Sequence, residues 1–282
     1  MPLISKQLLL IPILFLFLLF PNITIEGAGN GLFLWYNSVV PALLPFLMMT
    51  QLFLYSGSYV MAFSFFCGYP TAARLANQRL RAGIISSETA QFYLYLCNNA
   101  GIAFLIGYVC HGVLQNQLPT WKFLLGLYLP QLMFCGCYYF LILKGRKSVS
   151  LSLCNSQASP VSISMEQAMT EAFSIIMKIG GYIMLFSIVA NFISYLPLSD
   201  MVKSLLLGIL EITNGLQSLT SLSIDPVKKT ALAAAFCSFG GLCSIAQTKS
   251  VITEPTLSIA KYILVKIVYS ICTYIIVILI QP

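Results

Sequence analysis

Charge is scarce in this chain. Only 8% of its 282 residues are Asp, Glu, Lys or Arg, against 59% hydrophobic, and the mean hydropathy is +0.89. A soluble domain carries about a quarter charged residues, so the composition excludes one and indicates an integral membrane protein. There is one histidine, His111, and eight acidic residues, with no Asp/Glu/His cluster suited to a metal, so no metal site is read. The nine cysteines include no CxxC pair, and most of them, such as Cys67, Cys97, Cys135, Cys137, Cys237 and Cys272, sit inside apolar segments. An odd count in that setting excludes a disulfide framework and leaves them as small apolar packers. Also missing are a GxSxG elbow, an HExxH pair and a Walker loop, so hydrolase and ATPase chemistry has no residues to rest on. The chain reads as a non-enzyme with no cofactor. Its net charge of +7 is scattered among apolar spans rather than gathered into a stripe with aromatics, which excludes nucleic acid as a partner.

What is present is a series of apolar spans, some with broken, polar centres. Residues 7–25 form an apolar run behind Lys6, read as an anchoring helix rather than a cleaved signal peptide because Gly27-Ala28-Gly29 is a poor cleavage site. Residues 33–56 follow, with Pro41 and Pro45 expected to kink the helix near its start. Residues 60–73 are apolar for only about one bilayer half-thickness before Arg74, Arg79 and Arg81, which suits a re-entrant element. Ser87-Glu88 reads as the start of a helix to about 113, interrupted at Asn98-Asn99-Ala100-Gly101. Pro119 opens a span over 120–143, closed by Lys144, Arg146 and Lys147. A Ser-rich linker follows.

The second half repeats this plan: a long helix over 168–196, a short element over 202–218, a helix over 228–252 capped by Asp225-Pro226 and broken at Ser238–Gly241, and a last span over 257–280 opened by Pro255. Thr71 and Thr213, Cys97 and Cys237, and Pro119 and Pro255 stand 142, 140 and 136 residues apart. The near-constant offset, with the order of elements, indicates duplication. The organisation read is therefore an N-terminal helix and loop (1–32), a first membrane repeat (33–147), a cytoplasmic linker (148–165) and a second membrane repeat (166–282). With Lys6 inside, nine cations (Lys6, Arg74, Arg79, Arg81, Lys144, Arg146, Lys147, Lys249, Lys261) fall inside and four (Lys122, Lys203, Lys228, Lys229) outside, and the two repeats run inverted.

The stretches GLFLWYNSVVPALLPFLM (31–48), FCGYPTAARLANQRLRAGIISSETAQFYLYLCNNAG (66–101), LEITNGLQSL (210–219) and SFGGLCSIAQ (238–247) resemble the YlbJ-type sporulation integral membrane proteins, which carry nucleoside-recognition (gate) domains. The resemblance implies a role in endospore formation, movement of dipicolinic acid into the developing spore, cortex formation, and a bacterial cell membrane or forespore-surrounding membrane as the location. Gate-domain kinship implies an all-α polytopic fold similar to concentrative nucleoside transporters, with paired re-entrant hairpins around a midplane site. The chain is short for the family, and a gate-region segment is expected to be reduced near Leu54–Met61.

Unpaired backbone does not face lipid, so broken elements belong where they line a cavity or pack against protein. Gly68, Tyr69, Pro70 and Thr71 interrupt the first short element and are read as lining a solute site, the plain alternative being a tight turn with Tyr69 packed. Asn98 and Asn99 offer amides either to a solute or cation or to neighbouring helices. Ser238 stands at the matching break, and Gln247 follows it as a solute ligand. In the second short element Glu211 precedes Thr213 and Asn214. An ionisable group within a span costs at least about 2.5 kcal/mol on insertion scales, so Glu211 reads as a proton- or sodium-coupling residue, or else as the partner of Lys178. Lys178 itself could neutralise an anionic solute. Lys249 and Lys266 are expected to snorkel. The overall reading is a transporter of a small polar or anionic solute whose repeats move against each other, with membrane lipid around it and homo-oligomerisation left open; Tyr69, Asn98, Glu211 and Ser238 are expected to converge on one cavity.

Overall fold

A computed structural model describes residues 3–54, 60–144 and 164–280. Nearly all of the linker read at 148–165, the Arg146-Lys147 part of the basic cluster and most of the junction after Leu54 lie outside the described residues. Within them every regular element is helical.

The N-terminal region differs from the expectation in its boundaries. Helix α1 covers Leu3–Leu19, and α2, Pro21–Leu34, starts on a proline whose missing N–H is an orphan at that position in any helix. A π-type turn over Trp35–Val39 then leads into α3, Val40–Leu54. Val40 N–H bonds Trp35 O here, just ahead of Pro41, whose ring crowds the carbonyl four residues back. Residues 26–32, read as loop, are therefore helical, and the boundary placed at residue 32 falls inside a continuous helix. The glycines that suggested a loop are packing positions instead. A Cβ on Gly27 would lie 2.8 Å from Ile188 Cα, and one on Gly31 2.9 Å from Met184 Cα, so the two let α2 lie against α9, Met165–Ser194, by a small-xxx-small contact.

The first short element is a helical hairpin, α4 (Val60–Cys67) and α5 (Thr71–Arg81), with its tip at Gly68–Pro70. Helix α6, Ser87–Cys97, is capped by Ser86, whose Oγ accepts from Thr89 N at 3.3 Å. It breaks at Asn98–Gly101 and resumes as α7 (Ile102–Phe104) and a π-type stretch to Val113. Helix α8, Thr120–Tyr138, completes this half. The second half follows α9 with another hairpin, α10 (Asp200–Leu210) and α11 (Ile212–Ser221), turning at Glu211. Its arms of ~16 Å reach about halfway through a bilayer. They lie backbone to backbone: a Cβ on Gly215 would sit 2.3 Å from Gly208 Cα, and Ser204 and Ser218 share a 2.7 Å hydroxyl bond. Then come α12 (Pro226–Phe239), a break at Gly240 (φ +91°), α13 (Gly241–Val251) and α14 (Ile259–Ile280).

Among the described residues, six helical runs are long and apolar enough to cross a membrane: Pro21–Leu52, Ser87–Val113, Thr120–Leu143, Met165–Ser194, Pro226–Val251 and Ile259–Ile280. The two broken runs are the inner ones. Their apolar windows are 61% and 83% buried, against 28% for Thr120–Leu143 and 22% for Ile259–Ile280, as expected if interrupted backbone is kept from lipid. The outer faces present large apolar side chains, among them Phe33, Leu141, Leu264 and Leu279, which suit lipid contact.

Polar ties cross from the first half to the second. Asn77 of α5 accepts from Thr253 N and Glu254 N, both at 3.0 Å, and donates to Thr253 Oγ1 at 3.1 Å. Gln91 of α6 accepts from Ser258 N at 2.9 Å and donates to Ser258 O at 3.3 Å. Both clamp the loop between α13 and α14. Asn77→Ala strands two backbone donors and is expected to lower stability by about 2–3 kcal/mol, or the thermal midpoint of the purified protein by roughly 5–10 °C.

Candidate functional site

The four interruptions meet, and each half makes the same contact within itself. In the first, the hairpin tip rests on the break of α6: Tyr69 N–H bonds Asn99 O at 2.8 Å, and a Cβ on Gly68 (φ +77°) would lie 2.7 Å from Gly101 N. In the second, the hairpin tip rests on the α12–α13 break, where a Cβ on Gly241 would lie 3.1 Å from Leu210 O and 3.3 Å from Glu211 Cα. The two assemblies touch at Tyr69, whose ring edge lies 3.7 Å from a Cβ placed on Gly240. Glycine is required at these positions because any side chain would push a tip off its seat.

An inner and an outer space flank the first tip. The inner one is a cavity of about 40 Å³ whose polar lining includes Tyr69, Glu211, Thr213, Ser244 and Gln247 and whose apolar wall includes Val39, Leu43, Phe104, Ile179 and Ile183. The outer one is a vestibule of about 560 Å³ lined by residues that include Pro70, Thr71, Arg74, Asn77, Arg81, Glu171 and Lys178. Three cations and one carboxylate face it. Arg74 of α5 and Glu171 of α9 approach to 3.6 Å across it, and Arg81 lies 3.6 Å from Glu254. Thr71 Oγ1 is buried and has no protein hydrogen-bond partner.

Glu211 is 4% exposed. It caps α11 with its own side chain: Oε2 accepts from Asn214 N at 2.8 Å, from Asn214 Nδ2 at 2.9 Å and from Thr213 Oγ1. Helix N-termini favour negative charge, so the hairpin tip supplies the carboxylate with backbone and side-chain donors. The ion pair with Lys178 considered as the alternative is absent among the described residues; Lys178 is exposed on the vestibule side.

The residues picked out in the sequence divide into three places. Tyr69, Glu211, Thr213 and Gln247 line the cavity, while Pro70, Thr71 and Lys178 line the vestibule. Gly68, Asn98, Asn99, Asn214 and Ser238 join elements. Asn98 Nδ2 donates to Thr248 Oγ1 at 2.8 Å and Tyr262 Oη at 2.9 Å, Asn214 Nδ2 donates also to Ser187 Oγ at 2.7 Å, and Ser238 Oγ accepts from Thr273 Oγ1 at 3.3 Å. The expected convergence of Tyr69, Asn98, Glu211 and Ser238 thus holds for Tyr69 and Glu211 alone. Asn98 and Ser238 point instead toward α14.

Sequence reasoning undervalued Lys266. Expected to snorkel, it is fully buried, bonds Asn99 Oδ1 at 2.9 Å and lies 5.9 Å from the centre of the Tyr262 ring. A signal was there: Tyr262, Lys266, Tyr269 and Thr273 recur at helical spacing along one face of an otherwise apolar span, and all four are buried on that face of α14.

No protein-family model matches the chain, and no solved structure matches it. The chain is similar to the sporulation integral membrane protein YlbJ of Bacillus subtilis (strain 168), 20% identical over 311 residues, with 88% of this chain and 75% of the relative covered. The chain is accordingly a multi-pass integral membrane protein related to a sporulation protein.

Proposed function

We propose that the protein is a secondary-type transporter of a small polar or anionic solute, acting in endospore formation. The observation that carries this reading is the meeting of both hairpin tips and both broken helices around one cavity, beneath a vestibule rich in cations. A vestibule of about 560 Å³ falls within the roughly 300–1,000 Å³ of small-molecule sites. Arg74, Arg81 and Lys178 would draw an anion in, and Thr71 Oγ1 offers it an uncommitted hydroxyl. Tyr69 lines the cavity and Pro70 the vestibule, so passage between them would be governed at this tip and at the Glu211 tip. The family resemblance adds a dipicolinate-like solute, a link to cortex formation and a fold of the concentrative nucleoside transporter kind.

Uptake of radiolabelled dipicolinate, and separately of a nucleoside, into vesicles containing the purified protein tests this. Saturable uptake of one of them is expected, falling at least about tenfold, or about 1.4 kcal/mol, in a Glu211→Gln, Lys178→Met double variant. No saturable uptake of either, together with full sporulation in cells carrying the double variant, would leave a non-transporting scaffold of spore-envelope assembly as the better account.

A further inference from the structure

The inner cavity is the wrong size for the solute and the right chemistry for an ion. At about 40 Å³ it holds two to four water-sized occupants, at roughly 10–15 Å³ each. An organic acid does not fit.

Its polar lining is mostly oxygen, from Tyr69, Glu211, Thr213, Ser244 and Gln247, beside the thiols of Cys67 and Cys243. Gln247 is 3% exposed; its Nε2 donates to Cys243 Sγ at 3.3 Å, which turns Oε1 away from that bond, and Oε1 is buried with no protein partner. An acceptor stranded in this way costs about 1–3 kcal/mol. Across the cavity, the three hydrogen bonds described for Glu211 all fall on Oε2, and no Lys, Arg or His lines the space. A buried carboxylate without a counter-charge carries a penalty of several kcal/mol. One cation between the two groups relieves both.

The charge and the donor set narrow the ion. One carboxylate balances a single positive charge, whereas a divalent ion would leave net charge buried in the membrane. Carboxylate, amide and hydroxyl oxygens are hard ligands, suited to an alkali cation rather than a soft metal.

We propose that the cavity is a sodium site, held between Glu211 of the second hairpin tip and Gln247 of α13, with the solute confined to the vestibule. Seating the ion draws the tip onto the α12–α13 break, so occupancy would govern whether the hairpin can lift. This last consequence rests on the transporter reading; the site itself does not.

Thermal unfolding of the detergent-purified full-length protein in NaCl, against choline chloride at equal ionic strength, tests the site. Titration with NaCl is expected to raise the wild-type midpoint saturably by roughly 5–10 °C, as linkage gives at about 100 times Kd. The rise should vanish in Glu211→Gln and in Gln247→Leu and persist in Lys228→Gln, an exposed control. No sodium-dependent rise in the wild type overturns the proposal, without need of any variant. A rise retained in both cavity variants overturns it by placing the ion elsewhere, and a rise produced by acidification but not by sodium overturns it in favour of a proton on Glu211. Because stability is the readout, failed uptake and a failed sodium shift remain separate results.

Discussion

Asn99→Leu is expected to lower the thermal midpoint of the purified protein by about 10 °C, and Lys266→Met to leave it within a few degrees of wild type. The asymmetry follows from which group is left behind. Lys266 is fully buried, and Asn99 Oδ1, at 2.9 Å, is its hydrogen-bond acceptor among the described residues. Replacing Asn99 by a side chain of similar size strands an ammonium in the membrane interior, and breaking a buried charged interaction from one side costs about 3–5 kcal/mol. Replacing the lysine instead removes the charge and leaves an amide oxygen, at about 1–3 kcal/mol, offset by the apolar methionine. The double variant should therefore be more stable than Asn99→Leu alone, with a coupling of about 3 kcal/mol in the cycle. A double variant no more stable than Asn99→Leu would mean that the lysine is not held by this bond.

Gly215→Leu is expected to abolish recovery of folded protein. A Cβ there would lie 2.3 Å from Gly208 Cα and 2.7 Å from Gly208 N, both backbone atoms that cannot turn aside as a side chain can. Gly208 cannot retreat either, since a Cβ on it would already lie 2.5 Å from the Phe236 ring. Forcing the hairpin arms apart unseats the Glu211 tip and strips the hydroxyl bond between Ser204 and Ser218; a loss beyond about 4–5 kcal/mol is of the size that single overpacking or backbone changes reach only at their extreme. Size-exclusion chromatography of the solubilised protein reads this directly, as loss of the monodisperse peak. Gly136→Leu, where nothing lies within 4 Å of the added Cβ, should elute like the wild type.

The membrane class, the two short elements and the breaks were legible in the sequence because each is written in residue types with one strong physical consequence. Charge at 8% admits no soluble core, and Gly68-Tyr69-Pro70 or Asn98–Gly101 inside apolar runs cannot continue a helix undisturbed. Helix starts at Thr120, Pro226 and Met165 follow capping and proline rules and fall within a few residues of expectation. What the sequence did not disclose was direction. Asn98 and Tyr69 both sit at interruptions, yet one faces α14 and the other the cavity, and only packing decides that. Gly27 and Gly31 illustrate a second difficulty: glycine signals a loop in water and close helix contact in a bilayer. Lys266 is a third, because a lysine near one end of a span can reach the interface or turn inward, and the tyrosines flanking it along the helix face distinguish the two only once their common face is considered.

Asn77, Gln91, Asn98 and Asn99 each share a hydrogen bond with α13, α14 or the loop between them. The helices of the first half are thus bolted to the last two of the second, while the α10–α11 hairpin meets its neighbours at the Gly241 seat, along the Phe236 ring and through the Asn214–Ser187 bond. A mechanical part list of the molecule does not follow its sequence halves. The stiff frame is interlaced from both, and the hairpin that carries Glu211 leans on it through glycine, where one added methyl group would be felt.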